Sequence, residues 1–423
     1  MGMEASARSD TIAAIATAPG RAGVAIVRVS GPDAFLIGER LTGKKPSGGK
    51  VCFSRIREYP NGNLIDEAVV LSFKGPKSFT GEDVVEFQCH GGEVTPRRVL
   101  ESCFSAGARL SMRGEFTQRA FLNGKIRFED AQALLDLINA KTSSAADEAL
   151  SRFGGSRSKR SKYFYDKAIE ISTRLEHTLD IDESELSCRA VEEIKSNLES
   201  FLEEITRYIS DLKRGRILHD GAVVVLAGAP NAGKSSLLNV LVGENKAIVS
   251  SIPGTTRDAI EQWVDIEGFP VKLVDTAGLR DADDEIEAEG VLRSRELISK
   301  ADIVIALDCD IDGAVKVHSK CDISRGPGMN VSSKTLEGIG ELRGELVKRL
   351  SVLEPKQDDA NIDCFIHARG IIADVLAEKP SFTDVVLAAN AIRTVADELG
   401  RCIGASYSED MLESLFSRFC VGK

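Results

Sequence analysis

The sequence predicts a multidomain α/β plus α protein in which a Ras-like phosphate-loop GTPase domain, apparently shortened, is inserted into an all-α helical domain behind an N-terminal α+β domain. Three observations predict it. The run GAPNAGKSS (228–236) follows the apolar strand-like stretch AVVVL, helical periodicity lies on both sides of that block, and alternating apolar segments precede both. A length of 423 residues with 43% hydrophobic content also exceeds one ordinary domain, which runs about 100–200 residues.

Residues 1–118 carry GVAIVRVSG (23–31) and DEAVVLSF (66–73), period-two segments separated by Gly and Pro, as in a small α+β domain. Residues 119–215 change period: Ala131, Leu134, Leu135 and Ile138, then Ile194, Leu198, Phe201, Leu202, Ile205, Ile209 and Leu212, recur at helical spacing. LKRGRILHDG (212–221), with two glycines and a basic run, is expected to end that pattern as a hinge. Residues 216–355 alternate strand candidates AVVVLAG, KAIVS, PVKLVDT and DIVIALD with helical stretches. Only residues 309–318 separate Asp308 from Ser319, fewer than the dozen or so residues of a usual parallel crossover, so one helix of the sheet is expected to be missing. Residues 356–423 turn helical again, with Ile392, Val395, Ala396 and Leu399 on one face; if they pack on residues 128–212, the nucleotide block is an insertion.

A formal charge of −11 argues against binding nucleic acid by bulk electrostatics, so an RNA contact must use a local basic patch or a basic partner. Nine cysteines without CxxC pairs fit a reducing, cytoplasmic compartment. No run of 18 apolar residues and no signal-like N-terminus is present, so no membrane association is expected.

The block 228–236 fits GxxxxGK[ST]. Asn231, Ala232 and Gly233 let backbone amides close on the β-phosphate, Lys234 neutralises the β/γ oxygens, Ser235 ligates Mg²⁺, and Ser236 continues the turn. Thr255 and Thr256 in IPGTTRD and Asp275, Thr276, Ala277 and Gly278 in DTAG follow in the order of a GTP switch: Thr256 completes the Mg²⁺ shell, Asp275 holds a metal-bound water, and the Gly278 amide meets the γ-phosphate. For base reading, Ser319, Lys320 and Asp322 stand where Asn-Lys-x-Asp is usual, and Ser332, Ser333 and Lys334 resemble the final guanine-contacting turn. Asp322 can accept the two guanine N–H donors. Ser319 is too short to repeat an asparagine's contacts, a loss of about 0.5–1.5 kcal/mol per hydrogen bond.

Together with DTIAAIATAPGRAGVAIVRVSG, SFTGEDVVEFQCHGG, GEFTQRAFLNGK, ALLDLINAKT and the terminal FCVGK, these motifs closely resemble the bacterial MnmE (TrmE) family of tRNA-modification GTPases over nearly the whole chain. The resemblance implies an N-terminal domain that dimerises and binds a tetrahydrofolate derivative (formyl or methylene). It also implies an FAD-containing partner, MnmG, joined as a heterotetramer, and formation of an aminomethyl-type group at C5 of the tRNA wobble uridine. By motif, Arg28, Glu86, Lys125 and Lys423 correspond to folate-site positions; Cys420 lies in the terminal motif, either near the chemistry or merely packed. Arg113 stands where a proline often precedes GEFT.

Leu279 occupies the position that usually carries a water-positioning glutamine. The resemblance implies another solution: Asn231 with oxygens of Ser250, Ile252 and Thr255 holds K⁺ against the phosphates, and Glu287, in the acidic run after DTAG, orients the water when two GTPase domains close. On composition alone that run is a solvated charged loop. Two other readings stay open: a GTP-dependent regulatory or ribosome-assembly switch without modification activity, and a folate-binding homologue with weakened GTP hydrolysis.

Overall fold

The computed structural model describes residues 10–179, 188–244, 261–275, 296–354, 360–377, 382–403 and 409–423. These form two compact units, residues 1–135 with 406–423, and residues 136–405.

In the first unit, β1 (Ile12–Ile15), β2 (Val24–Ser30), β3 (Lys50–Arg57), β4 (Leu64–Phe73), β5 (Val84–His90) and β6 (Arg109–Leu110) form a sheet of order β3-β4-β5-β2-β1-β6. Strand alternation divides its residues between two faces. Val27, Val29, Ala68, Val70 and Phe87 point into a core closed by α1 (Ala34–Thr42) and α2 (Thr95–Ser105). Their neighbours of opposite parity, Arg28 and Glu86, sit directly opposite each other across β2 and β5 on the other face. The helix α3 (Glu115–Leu122) supplies Phe116, which packs there on Ile12 and Ala14. The start of α4 (Phe128–Asn139) buries Phe128, Ala131 and Leu135 against Leu415, Phe416 and Phe419, bringing the terminal residues into this unit.

The second unit combines a helical bundle with the nucleotide sheet. The helices α5 (Ser143–Ser151), α6 (Ser156–Leu179) and α7 (Cys188–Asp220) precede the sheet in sequence. A core of Phe164, Phe201, Tyr208, Phe365, Ile392 and Leu399 joins α6 and α7 to two helices from beyond the sheet, residues 360–377 and 382–403. The nucleotide domain is therefore an insertion, as the late helical periodicity suggested. The expected hinge at 212–221 is corrected: α7 runs unbroken to Asp220 and ends at Gly221, which takes φ 74°. Gly215 lies inside the helix and does not break it; a Cβ there would meet only the movable end of the Glu148 side chain, Oε1 at 2.7 Å.

The inserted sheet has order β12-β11-β10-β7-β9-β8, from β7 (Ala222–Gly228), β8 (Glu261–Ile266), β9 (Phe269–Asp275), β10 (Ile303–Leu307), β11 (Val315–His318) and β12 (Met329–Asn330). All its pairings are parallel except β8 with β9. The helix α8 (Lys234–Glu244) follows β7. Parallel neighbours β10 and β11 are joined by residues 308–314 with no helix, as the short spacing implied. Such a link suffices because the register places Ile305 beside Val315, so the chain retraces only about two residues, roughly 7 Å, while seven residues can span about 23 Å. The hairpin of β8 and β9 is tied to the bundle: Thr142 Oγ1 donates to Gly268 O at 2.8 Å, and Lys141 Nζ lies 3.7 Å from the centre of the Trp263 ring.

Candidate functional site

The phosphate loop sits where β7 gives way to α8. Gly228 has φ 155°, and a Cβ there would come within 2.5 Å of Leu307 O, so β7 can lie this close to the end of β10 only without a side chain. Asn231 at φ 62° and Gly233 at φ 92° turn the loop back on itself before the helix begins at Lys234. Lys234 is only 5% exposed and donates from Nζ to the carbonyls of Gly228 and Ala229, each at 2.8 Å. The loop thus wraps its own cation at the positive end of a helix dipole, which is an anion site by construction.

At the loop's far side, Ser235 Oγ donates to Oδ2 of the fully buried Asp275 at 2.6 Å. A hydroxyl and a carboxylate brought this close are hard oxygen donors of the kind Mg²⁺ takes, so these residues fit that ion. Ser250, Ile252, Thr255, Thr256, Thr276, Ala277, Gly278 and Glu287 lie outside the described residues.

The segment expected to read the base meets the phosphate loop through Lys320, whose Nζ donates to Asn231 O at 2.9 Å. Asp322 Oδ1 accepts from Ser332 Oγ at 2.7 Å, and the fully buried Ser332 in turn accepts from the Lys334 and Thr335 amides, at 3.3 and 3.2 Å. Ser332 therefore anchors Asp322 from beneath, while Ser333 and Lys334 lie nearer the surface. Sequence reasoning missed Asp308. It accepts from Ser319 Oγ at 2.6 Å and sits 2.7 Å from His318 Nδ1, clamping the start of the base loop to the end of β10. This clamp stands beside the helix-free crossover and fixes the serine that replaces the asparagine. Its sequence signal was the short spacing itself.

The first unit holds a second constellation. Arg28 Nε donates to Glu86 Oε1 at 2.7 Å, with both side chains mostly buried, and the Arg28 guanidinium lies 5.7 Å from the centre of the Phe116 ring. The terminal motif is seated at the end of β1: a Cβ on Gly422 would strike Ile15 O at 2.4 Å, and Val421 bridges Arg113. Lys125 is directed elsewhere, donating to Pro76 O at 2.9 Å; among the described residues no contact joins it or Lys423 to the Arg28–Glu86 pair. Cys420 is exposed and makes no disulfide.

Beside this pair runs a partly buried ionic network absent from the sequence reading. Arg119, 2% exposed, bonds Asp10, Glu82 and Glu115, and Arg109 forks onto Asp10 and Glu115. It staples the SFTGED loop and α3 to the start of β1. Burial alone would raise the Glu115 pKa, but hydrogen bonds from Arg109, the Met112 amide and Arg119 outweigh it and hold the carboxyl below its ordinary range. A carboxylate with a lowered native pKa stabilises the fold above its unfolded pKa, and that stability is lost as pH falls through the native value. Arg119→Met should cost about 1–3 kcal/mol: Arg109 still serves Asp10 and Glu115, but Glu82 loses its guanidinium and Glu115 one of its bonds. Urea unfolding across acidic pH should show this loss at neutral pH and a flatter acid dependence than wild type; equal curves would mean the network is solvent-screened.

The family model described as "GTP-binding protein TrmE N-terminus" matches residues 11–125, and that of the MnmE helical domain matches residues 128–420, spanning the inserted nucleotide block. The tRNA modification GTPase MnmE of Symbiobacterium thermophilum is 38% identical, covering 98% of this chain and 99% of that protein. The protein of the same name from Clostridioides difficile is 36% identical, again covering 98% of this chain and 99% of its own. Among solved structures, the G domain of the Thermotoga maritima FeoB iron transporter matches 30% of this chain and 98% of its own at 25% identity, with a TM-score of 0.22 that adds nothing to the topology above. With the phosphate loop at the end of β7, the inserted sheet and matches along nearly its whole length, the chain belongs to the MnmE (TrmE) family of tRNA modification GTPases.

Proposed function

We propose that this GTPase works in the cytoplasm as a homodimer with an FAD-containing MnmG-type partner, in a heterotetramer that builds (carboxymethyl)aminomethyl groups at C5 of the tRNA wobble uridine. A tetrahydrofolate derivative supplies the one-carbon unit when bound. GTP is held with Mg²⁺ at Ser235 and Thr256, and K⁺ is held by Asn231 with Ser250, Ile252 and Thr255.

The observation that carries the folate part is the Arg28–Glu86 pair above Phe116. Arg28 takes Glu86 Oε1 and so fixes the carboxylate plane, which leaves Oε2 to accept an N–H of a pterin-like ring. Phe116 is fully buried beneath the pair and steadies the Arg28 guanidinium above it. The Lys423 end of the chain, docked near β1, offers a cation for the folate tail, and Lys125 reaches it only by leaving the Pro76 carbonyl.

Glu86→Ala and Arg28→Ala should each weaken tetrahydrofolate binding about 10- to 150-fold, the value of a hydrogen bond to a charged group, while GTP hydrolysis stays near wild type. Calorimetry with 5-formyltetrahydrofolate decides: wild-type affinity in both variants would remove the folate assignment and leave the GTPase standing.

A further inference from the structure

α6 opens with SRSKRSK (156–162), which places Arg157, Lys159, Arg160 and Lys162 together in a chain of net charge −11. Local helix stability does not explain the run. The positive end of the helix dipole disfavours cations there, and the first turn holds no acidic residue to offset them. Lys159, Arg160 and Lys162 are exposed, and among the described residues neither lysine forms an ion pair. Arg160 is steadied by the Tyr208 ring, 5.4 Å from its guanidinium.

Next in line is Tyr163, 49% exposed yet fixed. Its hydroxyl donates to Glu204 Oε2 at 2.9 Å and its ring meets Phe164 edge-on at 5.4 Å. Lys167 bonds the other Glu204 oxygen at 2.9 Å and neutralises it. A cavity of about 440 Å³ lies along this face, lined among the described residues by Lys159, Lys162, Tyr163, Asp166, Lys167 and Glu170. Asp166 and Glu170 line it as well, so the run of cations without an acid between them is Arg157, Lys159, Arg160 and Lys162 of the first turns. Unpaired cations beside an immobilised, exposed aromatic ring are what a nucleic-acid strand requires: charges for phosphates and a platform for a base. An acidic protein would use the lysines as well; what favours RNA is that any base offers a π-face to the ring set among them.

We propose, resting on the tRNA-modification reading, that this face of α6 binds the tRNA backbone, with Lys159, Arg160 and Lys162 on phosphates and Tyr163 stacked on an unpaired base. It is the local basic patch that an acidic chain needs in order to hold RNA. The test titrates fluorescent tRNA with the full chain between 50 and 200 mM KCl, salt levels over which phosphate contacts are typically read. Lys159→Gln with Lys162→Gln should weaken binding at low salt about tenfold and reduce the slope of log affinity against log salt by about 1.4–1.8, the release expected for two phosphates. Tyr163→Ala should weaken binding at least about fivefold with the slope unchanged. GTP turnover of both variants should match wild type, since none of these residues belongs to the nucleotide site. Wild-type affinity and slope in the lysine variant would overturn the assignment of this face while leaving the tRNA reading intact. Undetectable tRNA binding by the wild-type chain at every salt level would overturn both. Loss of binding to a polyglutamate peptide with tRNA binding retained would give the face to an acidic protein instead.

Discussion

Lys234→Ala should abolish tight binding of Mg²⁺-GTP. The ammonium is nearly inaccessible and is held by the carbonyls of Gly228 and Ala229, so its geometry is set before any nucleotide arrives. Without it, the β/γ oxygens meet a loop that has lost its only buried cation among the described residues, and two carbonyls face the anion unmasked. Removing one partner from a buried charge pair costs about 3–5 kcal/mol, a loss of roughly 10²–10⁴-fold in affinity. Ser235→Ala should act through the metal: Asp275 would keep its place at the end of β9 but lose the 2.6 Å hydroxyl that shares the Mg²⁺ site with it. Titration with a fluorescent GTP analogue, with and without Mg²⁺, separates the two, because the Ser235 variant alone should become insensitive to the metal. Unchanged affinity in both would remove the phosphate-loop assignment.

Glu287→Ala should do the opposite, keeping affinity and losing turnover. Phosphoryl transfer needs charge neutralisation between the β- and γ-phosphates and an aligned water, and with Leu279 in place of the usual glutamine the water must be held by another group. A group of this kind is worth about 10²–10⁴-fold, or roughly 3–5 kcal/mol of barrier, and should appear in kcat with little change in KM. Asn231→Ala should instead erase the preference for K⁺ over Na⁺. Asn231 stands exposed at the mouth of the loop with a left-handed backbone, and Lys320 Nζ takes its backbone carbonyl, leaving the side chain as the group that the variant tests. Steady-state hydrolysis in KCl and NaCl checks both variants; a loss in Glu287→Ala under about threefold would make the acidic run no more than a charged loop.

What the sequence made legible was local. The phosphate loop, Asp275 and the base segment are short contiguous motifs, each set by a strand that ends beside it, so their positions followed from the alternation of strands and helices. The insertion was legible because the period changes twice, and the missing crossover helix because a residue count cannot hide it. Long-range pairings were not legible. Arg119 meets Asp10 across 109 residues and Glu82 across 37, and nothing in GEFTQRAF or SFTGED singles out those charges from surface ones. The Asp308 clamp on Ser319 depends on how β10 and β11 come to lie side by side, which only the register reveals. The hinge at 212–221 was misread because glycine usually weakens a helix by about 1 kcal/mol relative to alanine, a cost small against the burial of Leu212, Ile217 and Leu218 on the same helix. The basic run of α6 was passed over for a simpler reason: helical periodicity accounts for Phe164 and Ala168 facing inward and is silent on what the outward cations meet.

The central claim is that GTP turnover at the phosphate loop drives modification of tRNA. Its most direct test is mass spectrometry of wobble-position nucleosides from cells lacking the chromosomal copy, complemented with wild type or with Lys234→Ala at equal protein level. The account predicts C5-modified uridine with the wild-type chain and unmodified uridine with Lys234→Ala. Equal modification in the two strains would contradict it, because the modification would then proceed without the nucleotide site.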